Sequence, residues 1–247
     1  MVPPELFDED VYDHFYGVAL EQASEAQARL IARLAGLQGG ADVLDVPCGD
    51  GRIAVRLAKL GCRVVGIDRS ERFIARARQR PESEHGRFDG GDMRALPYQA
   101  EFDCVVNWFS SFGYFDAATN RAVLRAFRRA LRPGGRLVLE QRNPALTRRA
   151  VDAGGGSTAH VVARGLDLLV DRVRIDADQL HAERFVVRDG RVRKLEFSLE
   201  ILTDDALTSA LHQAGFTDVQ CFDEDGQPFH PESNRLIAVA RTAARPS

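Results

Sequence analysis

The sequence predicts an α/β fold: a parallel sheet with helices on both faces, interrupted by an inserted antiparallel β segment. Two observations predict it. Between Asp42 and Gln141, short apolar runs alternate with stretches of helical length, the rhythm of parallel strands joined by crossover helices. Between His160 and Leu202, β-type residues dominate and alternate with charged ones, as half-exposed antiparallel strands require. A length of 247 residues, 45% hydrophobic and 28% charged, suits one such domain with an insertion.

The first 40 residues read as helical. Leu20, Ala23, Gln27, Leu30, Ile31, Leu34 and Leu37 mark one face, and Gly39-Gly40 stops the run. Asp42–Val46 is a short strand that ends in the loop Pro47-Cys48-Gly49-Asp50-Gly51. A helix from Arg52 to Leu60 is closed by Gly61. A second strand, Arg63–Ile67, ends at Asp68, and Ser70 can cap a helix reaching Gln79. Strands at Phe102–Asn107 and Arg136–Gln141 flank a helix over Ala117–Leu131, which Arg132-Pro133-Gly134-Gly135 terminates.

After Asn143-Pro144 the rhythm changes, and Gly154-Gly155-Gly156-Ser157 reads as a flexible link. Leu168-Leu169-Val170, Val173-Arg174-Ile175, Arg184-Phe185-Val186-Val187 and Val192–Leu199 read as antiparallel strands, with Asp189-Gly190 as a two-residue hairpin turn. The core rhythm returns with a helix over Thr203–Ala214, stopped by Gly215, and strands at Val219–Phe222 and Arg235–Ala240. Three regions follow: an N-terminal helical cover (1–40), a core domain (41–145 and 203–247) and an inserted β subdomain (146–202).

Composition narrows the function. With 33 basic and 36 acidic residues the formal charge is −3, which argues against nucleic acid as a partner. Only Lys59 and Lys194 are lysines, so there is no Gly-Lys-Ser/Thr phosphate loop and little scope for a Schiff base. Cys48, Cys62, Cys104 and Cys221 form no Cys-x-x-Cys pair or Cys/His cluster, so no metal site is expected and reduced thiols suit a cytoplasm. Met1–Asp10 lacks a basic-then-apolar leader, and no apolar run approaches the ~18–20 residues of a membrane span. The expectation is a soluble cytoplasmic protein without a membrane partner.

Gly49-x-Gly51 lies between an apolar strand and a helix, where a backbone without side chains lets a ligand approach. Taken literally, Gly49-Asp50-Gly51-Arg52-Ile53-Ala54 also satisfies the dinucleotide pattern G-x-G-x-x-[GA]. Asp45 changes the reading. A carboxylate at the strand end repels a pyrophosphate and attracts a cationic amine. Asp68, ending the second strand, is placed to accept ribose hydroxyls.

Val43-Leu44-Asp45-Val46-Pro47-Cys48-Gly49-Asp50-Gly51 resembles the first motif of class I S-adenosylmethionine-dependent methyltransferases. The resemblance continues through Val65-Gly66-Ile67-Asp68-Arg69-Ser70, Gly91-Asp92-Met93, Phe102-Asp103-Cys104-Val105-Val106-Asn107 and Leu131-Arg132-Pro133-Gly134-Gly135, in family order and spacing. Pro47 stands where the family commonly has glycine, so this loop lacks one N–H donor. The resemblance implies a Rossmann-like seven-stranded sheet with its last strand antiparallel, and S-adenosylmethionine as cofactor with S-adenosylhomocysteine as product. It places Gly49 and Gly51 against the methionine part, Asp45 on the amine and Asp68 on the ribose, with Arg69 beside it. Asp92 and Met93 would flank the adenine, and Asn107 the reacting methyl.

The acceptor is less legible. Methyl transfer needs alignment and exclusion of water rather than a fixed triad. Asn107-Trp108-Phe109 lacks the Asn/Asp-Pro-Pro-Tyr pattern of enzymes that methylate base amines. The aromatic run Trp108, Phe109, Phe112, Tyr114, Phe115 resembles small-molecule methyltransferases that modify antibiotics and sugars, and the insertion resembles the extra sheet of sugar N-methyltransferases, which covers the acceptor or makes a homodimer contact. Tyr12-Asp13-His14-Phe15-Tyr16 is similar to the lid segment of that branch, with Tyr16 on the cofactor and His14 as a base. Tyr114 is a second catalytic candidate. Trp108, Phe109, Arg142, Asn143 and His230 are candidates for binding the acceptor at N or O. Three other readings stay open: an NAD-dependent oxidoreductase, disfavoured by Asp45 and the lack of a Tyr-x-x-x-Lys pair; an S-adenosylmethionine enzyme with other chemistry; and a non-catalytic binding module.

Overall fold

The computed structural model describes residues 4–81 and 86–244; the ends of the N-terminal cover and of the core domain, 1–3 and 245–247, lie outside the described residues. A single turn (Pro4–Phe7), a short helix α1 (Glu9–Tyr12) and a π-helical turn (Asp13–Gly17) lead into the long helix α2 (Val18–Ala35). Then come β1 (Asp42–Asp45), α3 (Ala54–Lys59), β2 (Arg63–Asp68), α4 (Glu71–Gln79), β3 (Gly86–Gly90), β4 (Phe102–Asn107), α5 (Ala117–Ala130) and β5 (Leu131–Arg142). Helix α6 (Pro144–Ala153) precedes the strands β6 (Thr158–Arg164), β7 (Asp167–Asp176), β8 (Gln179–Arg188) and β9 (Arg191–Glu200). The chain closes with α7 (Asp204–Gln213), β10 (Phe216–Phe222) and β11 (Arg235–Thr242).

Seven strands form one sheet in the order β10-β11-β5-β4-β1-β2-β3. Only β11 is reversed, pairing antiparallel with β5 and with β10. Successive strand residues feed opposite faces, as the period of two demands. Leu44, Val105, Leu137 and Leu139 pack under α5 and α7 with Phe127, Leu207 and Leu211. Val43, Cys104, Val106 and Val138 pack on the other face with Ala28, Ile31, Leu57 and Ile74 of α2, α3 and α4. Caps fix the helix starts: the side chains of Ser70, Asp116 and Thr203 accept from Phe73, Thr119 and Ala206 N–H.

The structure departs from the sequence reading at four elements. Helix α2 ends at Gly36, in the left-handed region at φ 62°, three residues before Gly39-Gly40. Its buried stripe is Leu20, Ser24, Ala28, Ile31 and Ala35; Ser24, Ala28 and Ala35 are small and let the axis approach the sheet, while the predicted Leu30, Leu34 and Leu37 flank it. Edge strand β3 was not anticipated, because Phe88 is its one buried residue. Helix α6 was not anticipated either; Asn143 caps it with Pro144 at its first position, so the flexible stretch shrinks to the glycines after it. The insertion is a four-stranded antiparallel sheet, β6-β7-β8-β9, in which Leu168–Ile175 is one strand rather than two. Asp189-Gly190 turns with both residues at positive φ, 53° and 69°, as the hairpin requires.

Two sets of contacts hold the insertion over the core. Glu200, 5% exposed, takes a two-pronged ion pair from Arg121 (2.9 and 3.1 Å) and a bond from Asn120 (2.8 Å), and its N–H donates to Gly113 O (2.7 Å). The N-terminal segment bridges both parts. Asp10 and Asp13 pair with Arg72 and Arg76 of α4, and Asp8 pairs with Arg193 of β9. Val11 and Phe15 pack on Leu169 and Val186 of the insertion. Among the described residues no helix is long and apolar enough to cross a membrane.

Candidate active site

A cavity of about 570 Å³ opens at the carboxyl ends of β1, β2, β4 and β5, roofed by the N-terminal segment and the inner face of the inserted sheet. In an open α/β sheet this is where the strand ends deliver polar groups and the crossovers leave a crevice. Of the sequence-predicted residues, Tyr16, Asp45, Gly49, Asp68, Arg69, Asp92, Met93, Trp108, Phe109, Tyr114 and Arg142 line it. Gly51, His14, Asn107, Asn143 and His230 do not.

At the β1–β2 end, Asp45 is 2% exposed and its Oδ2 has no hydrogen-bond partner among the described residues. Burial pushes its carboxyl up to about 7; Arg52 opposes this, and Asp68 adds to it. Gly49 sits at φ 54°, and a Cβ there would meet nothing within 4 Å, so the turn leaves open space toward the cavity. Its N–H donates to Asp68 Oδ2 (2.8 Å), and Ser70 N–H donates to Asp68 Oδ1 (2.8 Å). Burial raises the Asp68 carboxyl pKa, against the pull of those two donors. An unsatisfied buried carboxylate beside an open glycine turn is suited to an ammonium group, because an unpaired buried charge is costly.

The Asp45 shift gives a pH expectation. Its folded-state value is raised, so between the unfolded value near 3.8 and about 7 the native state binds more protons than the unfolded chain. This group's contribution to stability therefore falls as pH rises through that window. A cationic ligand on Asp45 would hold it ionised, releasing a proton below about 7. Calorimetry of S-adenosylmethionine binding in buffers of different ionisation enthalpy should show that release, and Asp45→Asn should abolish it.

Gly51 has a different task. Its φ is 80°, and a Cβ would lie 3.0 Å from Ala77 Cβ and 3.1 Å from Phe88, so the glycine lets α4 and β3 close against the turn. Asn107 is fully buried, and its Nδ2 donates to Val46 O (2.8 Å), fixing the loop entrance instead of facing the cavity. Asp92 is engaged by Arg94, whose Nε lies 3.0 Å from both carboxylate oxygens and whose guanidinium holds the carboxyl below its ordinary range.

Across the cavity, Phe109 and Ser110 both occupy the left-handed region, at φ 62° and 53°, a strained turn for residues with side chains. The turn is held from behind. Ser110 N–H donates to the backbone (3.2 Å) and carboxylate (3.1 Å) oxygens of Glu140, whose Oε1 lies 2.5 Å from Arg235 Nε. Arg52 and Arg235 stack on the Phe109 ring at 5.5 and 5.8 Å. Trp108 is 6% exposed, and its Nε1 has no partner among the described residues. Burial raises the phenol pKa of both Tyr16 and Tyr114, which stay protonated donors.

Besides Gly51 and Asn107, three sequence candidates lie outside the cavity lining. His14 turns to the insertion, Nε2 2.8 Å from Asp167 Oδ2, while its carbonyl accepts from Arg164. Asn143, 1% exposed, donates to Pro231 O (2.9 Å) and Ser233 O (2.8 Å) while capping α6, so it joins two loops. His230 is exposed and serves its own loop, with Nδ1 accepting from Glu232 N–H (3.2 Å). Conversely, Tyr12, Arg52, His160, Asp171, Arg184 and Phe197 line the cavity without having been singled out as site residues. Asp171 did leave a signal, a charge between Leu169 and Val173 on the apolar phase of its strand.

This strand order, with only the last strand reversed, is an open α/β sheet in which an acidic residue ends each of β1 and β2 beside a glycine turn at the mouth of the cavity. Residues 43–135 match the family described as a methyltransferase domain. It is 35% identical over 144 residues to the 27-O-demethylrifamycin SV methyltransferase of Amycolatopsis mediterranei, covering 55% of this chain and 52% of that one. It is 33% identical over 134 residues to the dTDP-3-amino-3,4,6-trideoxy-alpha-D-glucopyranose N,N-dimethyltransferase of Streptomyces venezuelae, covering 53% and 55%. The chain thus spans about half the length of the curated relatives it matches. Its fold resembles the CcbJ methyltransferase from Streptomyces caelestis, with a TM-score of 0.75, 24% identity and 90% of each chain covered.

Proposed function

We propose that the protein transfers the methyl group of S-adenosylmethionine to a nitrogen or oxygen atom of a small-molecule acceptor. The observation that carries this reading is the seat at β1 and β2: the unpartnered Asp45 Oδ2 next to the open side of Gly49. Bound there, S-adenosylmethionine supplies an electrophilic methyl group on a sulfonium. Asp45 accepts from the amino acid ammonium, and Asp68 keeps lone pairs for the ribose hydroxyls. Met93 offers its thioether and apolar side chain to the adenine, with Asp92 at the ring edge.

The aromatic loop after β4 and the N-terminal segment act on the other side. Trp108, Phe109 and Tyr16 supply apolar walls that exclude water from the reacting centre, and the Glu140–Arg235 pair keeps the Phe109 turn in place. Arg142, at the end of β5, is placed to orient polar groups of the acceptor. The relatives support a small acceptor at either atom, since one is named as an O-methyltransferase of a rifamycin and the other as an N,N-dimethyltransferase of a nucleotide sugar.

Calorimetry with S-adenosylmethionine and NAD separately, followed by mass spectrometry of an acceptor panel, tests the reading. The expected result is binding of S-adenosylmethionine alone and products heavier by one methylene. Binding of NAD alone, or products without that increment, would contradict it.

A further inference from the structure

The inner side of the inserted sheet carries a polar row that faces the cavity. His160 of β6, Asp171 of β7 and Arg184 of β8 are register partners across three adjacent strands. Asp171 and Arg184 form two parallel bonds, Nε to Oδ1 at 2.7 Å and Nη2 to Oδ2 at 2.8 Å, with both side chains 15% exposed. That pair is neutral overall and locked in one geometry. His160 and Arg142 differ from it. Both line the cavity, and among the described residues no hydrogen bond or ion pair engages the imidazole or the guanidinium.

We propose, on the methyltransferase reading above, that His160 is the proton acceptor of the reaction and that His160 and Arg142 together select an acidic hydroxyl, a phenol or enol, as the methyl acceptor. Charge makes the selection. The Asp171–Arg184 and Glu140–Arg235 pairs cancel, which leaves Arg142 as a cation without an ion pair among the described residues beside His160. An aliphatic amine enters as an ammonium, is repelled by Arg142, and cannot react until it loses its proton. A phenol enters neutral, and its developing oxyanion is stabilised by the same guanidinium.

The imidazole is set up for that role. The charged groups that act on it are Arg142 from the end of β5 and Asp171 and Arg184 from β7 and β8; the phenols of Tyr16 and Tyr114, which line the same cavity, feel the same three charges. Burial and the two arginines hold its pKa below the ordinary histidine value, against Asp171, so it is neutral and able to accept a proton at pH 7. In the step, the hydroxyl proton passes to the His160 imidazole and the oxygen lone pair forms the O–CH₃ bond. The S–CH₃ bond breaks with its electron pair left on sulfur, turning the sulfonium into a neutral thioether. The imidazolium then loses its proton to water.

The test uses para-nitrophenol, whose phenolate absorbs apart from the phenol, and the protein loaded with S-adenosylhomocysteine so that no turnover occurs. At mildly acidic pH the protein is expected to raise the phenolate band, and benzylamine should not displace it. Arg142→Met should weaken phenolate binding about tenfold, and His160→Gln should remove the band. In the unsubstituted protein, the His160 ring resonances should titrate below an ordinary histidine. Absence of the band, its persistence in both variants, displacement by benzylamine, or an ordinary His160 titration would each overturn the proposal. If S-adenosylhomocysteine itself fails to bind by calorimetry, the methyltransferase reading falls; if it binds and no band appears, this inference alone falls.

Discussion

Arg235→Met is expected to lower stability by about 3–5 kcal/mol, the cost of leaving a buried carboxylate without its partner. Glu140 is 1% exposed, and burial already raises its carboxyl pKa even with Arg235 beside it. Without the guanidinium that value rises further. The native state then binds a proton that the unfolded chain does not, so the deficit grows as pH rises above the ordinary glutamate range and shrinks in acid. Thermal melts should show the variant losing roughly 10 °C at neutral pH, and Glu140→Gln in the same chain should recover part of it. The same change frees the Phe109–Ser110 turn, so affinity for S-adenosylmethionine should fall as well. A variant as stable as the parent at neutral pH would mean that the pair does not hold the loop.

Asp68→Ala is expected to weaken S-adenosylmethionine binding by about 1.5–3 kcal/mol, because a charged acceptor of hydrogen bonds is lost. Two effects add. The ribose hydroxyls lose their partner, and the N–H groups of Gly49 and Ser70 lose theirs, which loosens the glycine turn and the start of α4. Asp68→Asn keeps one acceptor oxygen and should fall between the two. Calorimetry measures this directly, and unchanged affinity in Asp68→Ala would mean that the turn seats a different ligand.

The placement of Asp45, Gly49 and Asp68 at the cavity was legible because its determinants are local. Asp45, Gly49, Asp68 and Ser70 lie within one strand–turn–helix–strand unit, where spacing alone puts the carboxylates at strand ends. Even there, Gly49 and Gly51 divide the work: one faces the cavity and the other admits α4 and β3, a distinction that needs the packing around each. Asn143 and His14, which the sequence placed at the cavity and the structure does not, have partners remote in sequence. Asn143 is spoken for by Pro231 and Ser233, and His14 by Asp167. Nothing near either residue announces those contacts.

The row of His160, Asp171 and Arg184 shows the opposite failure. The three residues become neighbours only through antiparallel register, at separations of 11 and 13 residues. A shift by one residue would have turned all three away from the cavity. Helix α6 was missed although Asn143-Pro144 is a helix-start signal, because the glycine run behind it suggested a loop. Edge strand β3, with Phe88 as its one buried residue, offered no pattern to read.

The most direct measurement is a crystal structure with S-adenosylhomocysteine bound. The ligand amine is expected within hydrogen-bond distance of Asp45 Oδ2, the ribose hydroxyls on Asp68, and the sulfur directed toward the space between Trp108, Arg142 and His160. A ligand seated away from Asp45 and Asp68, or a sulfur directed away from that space, would contradict this seating.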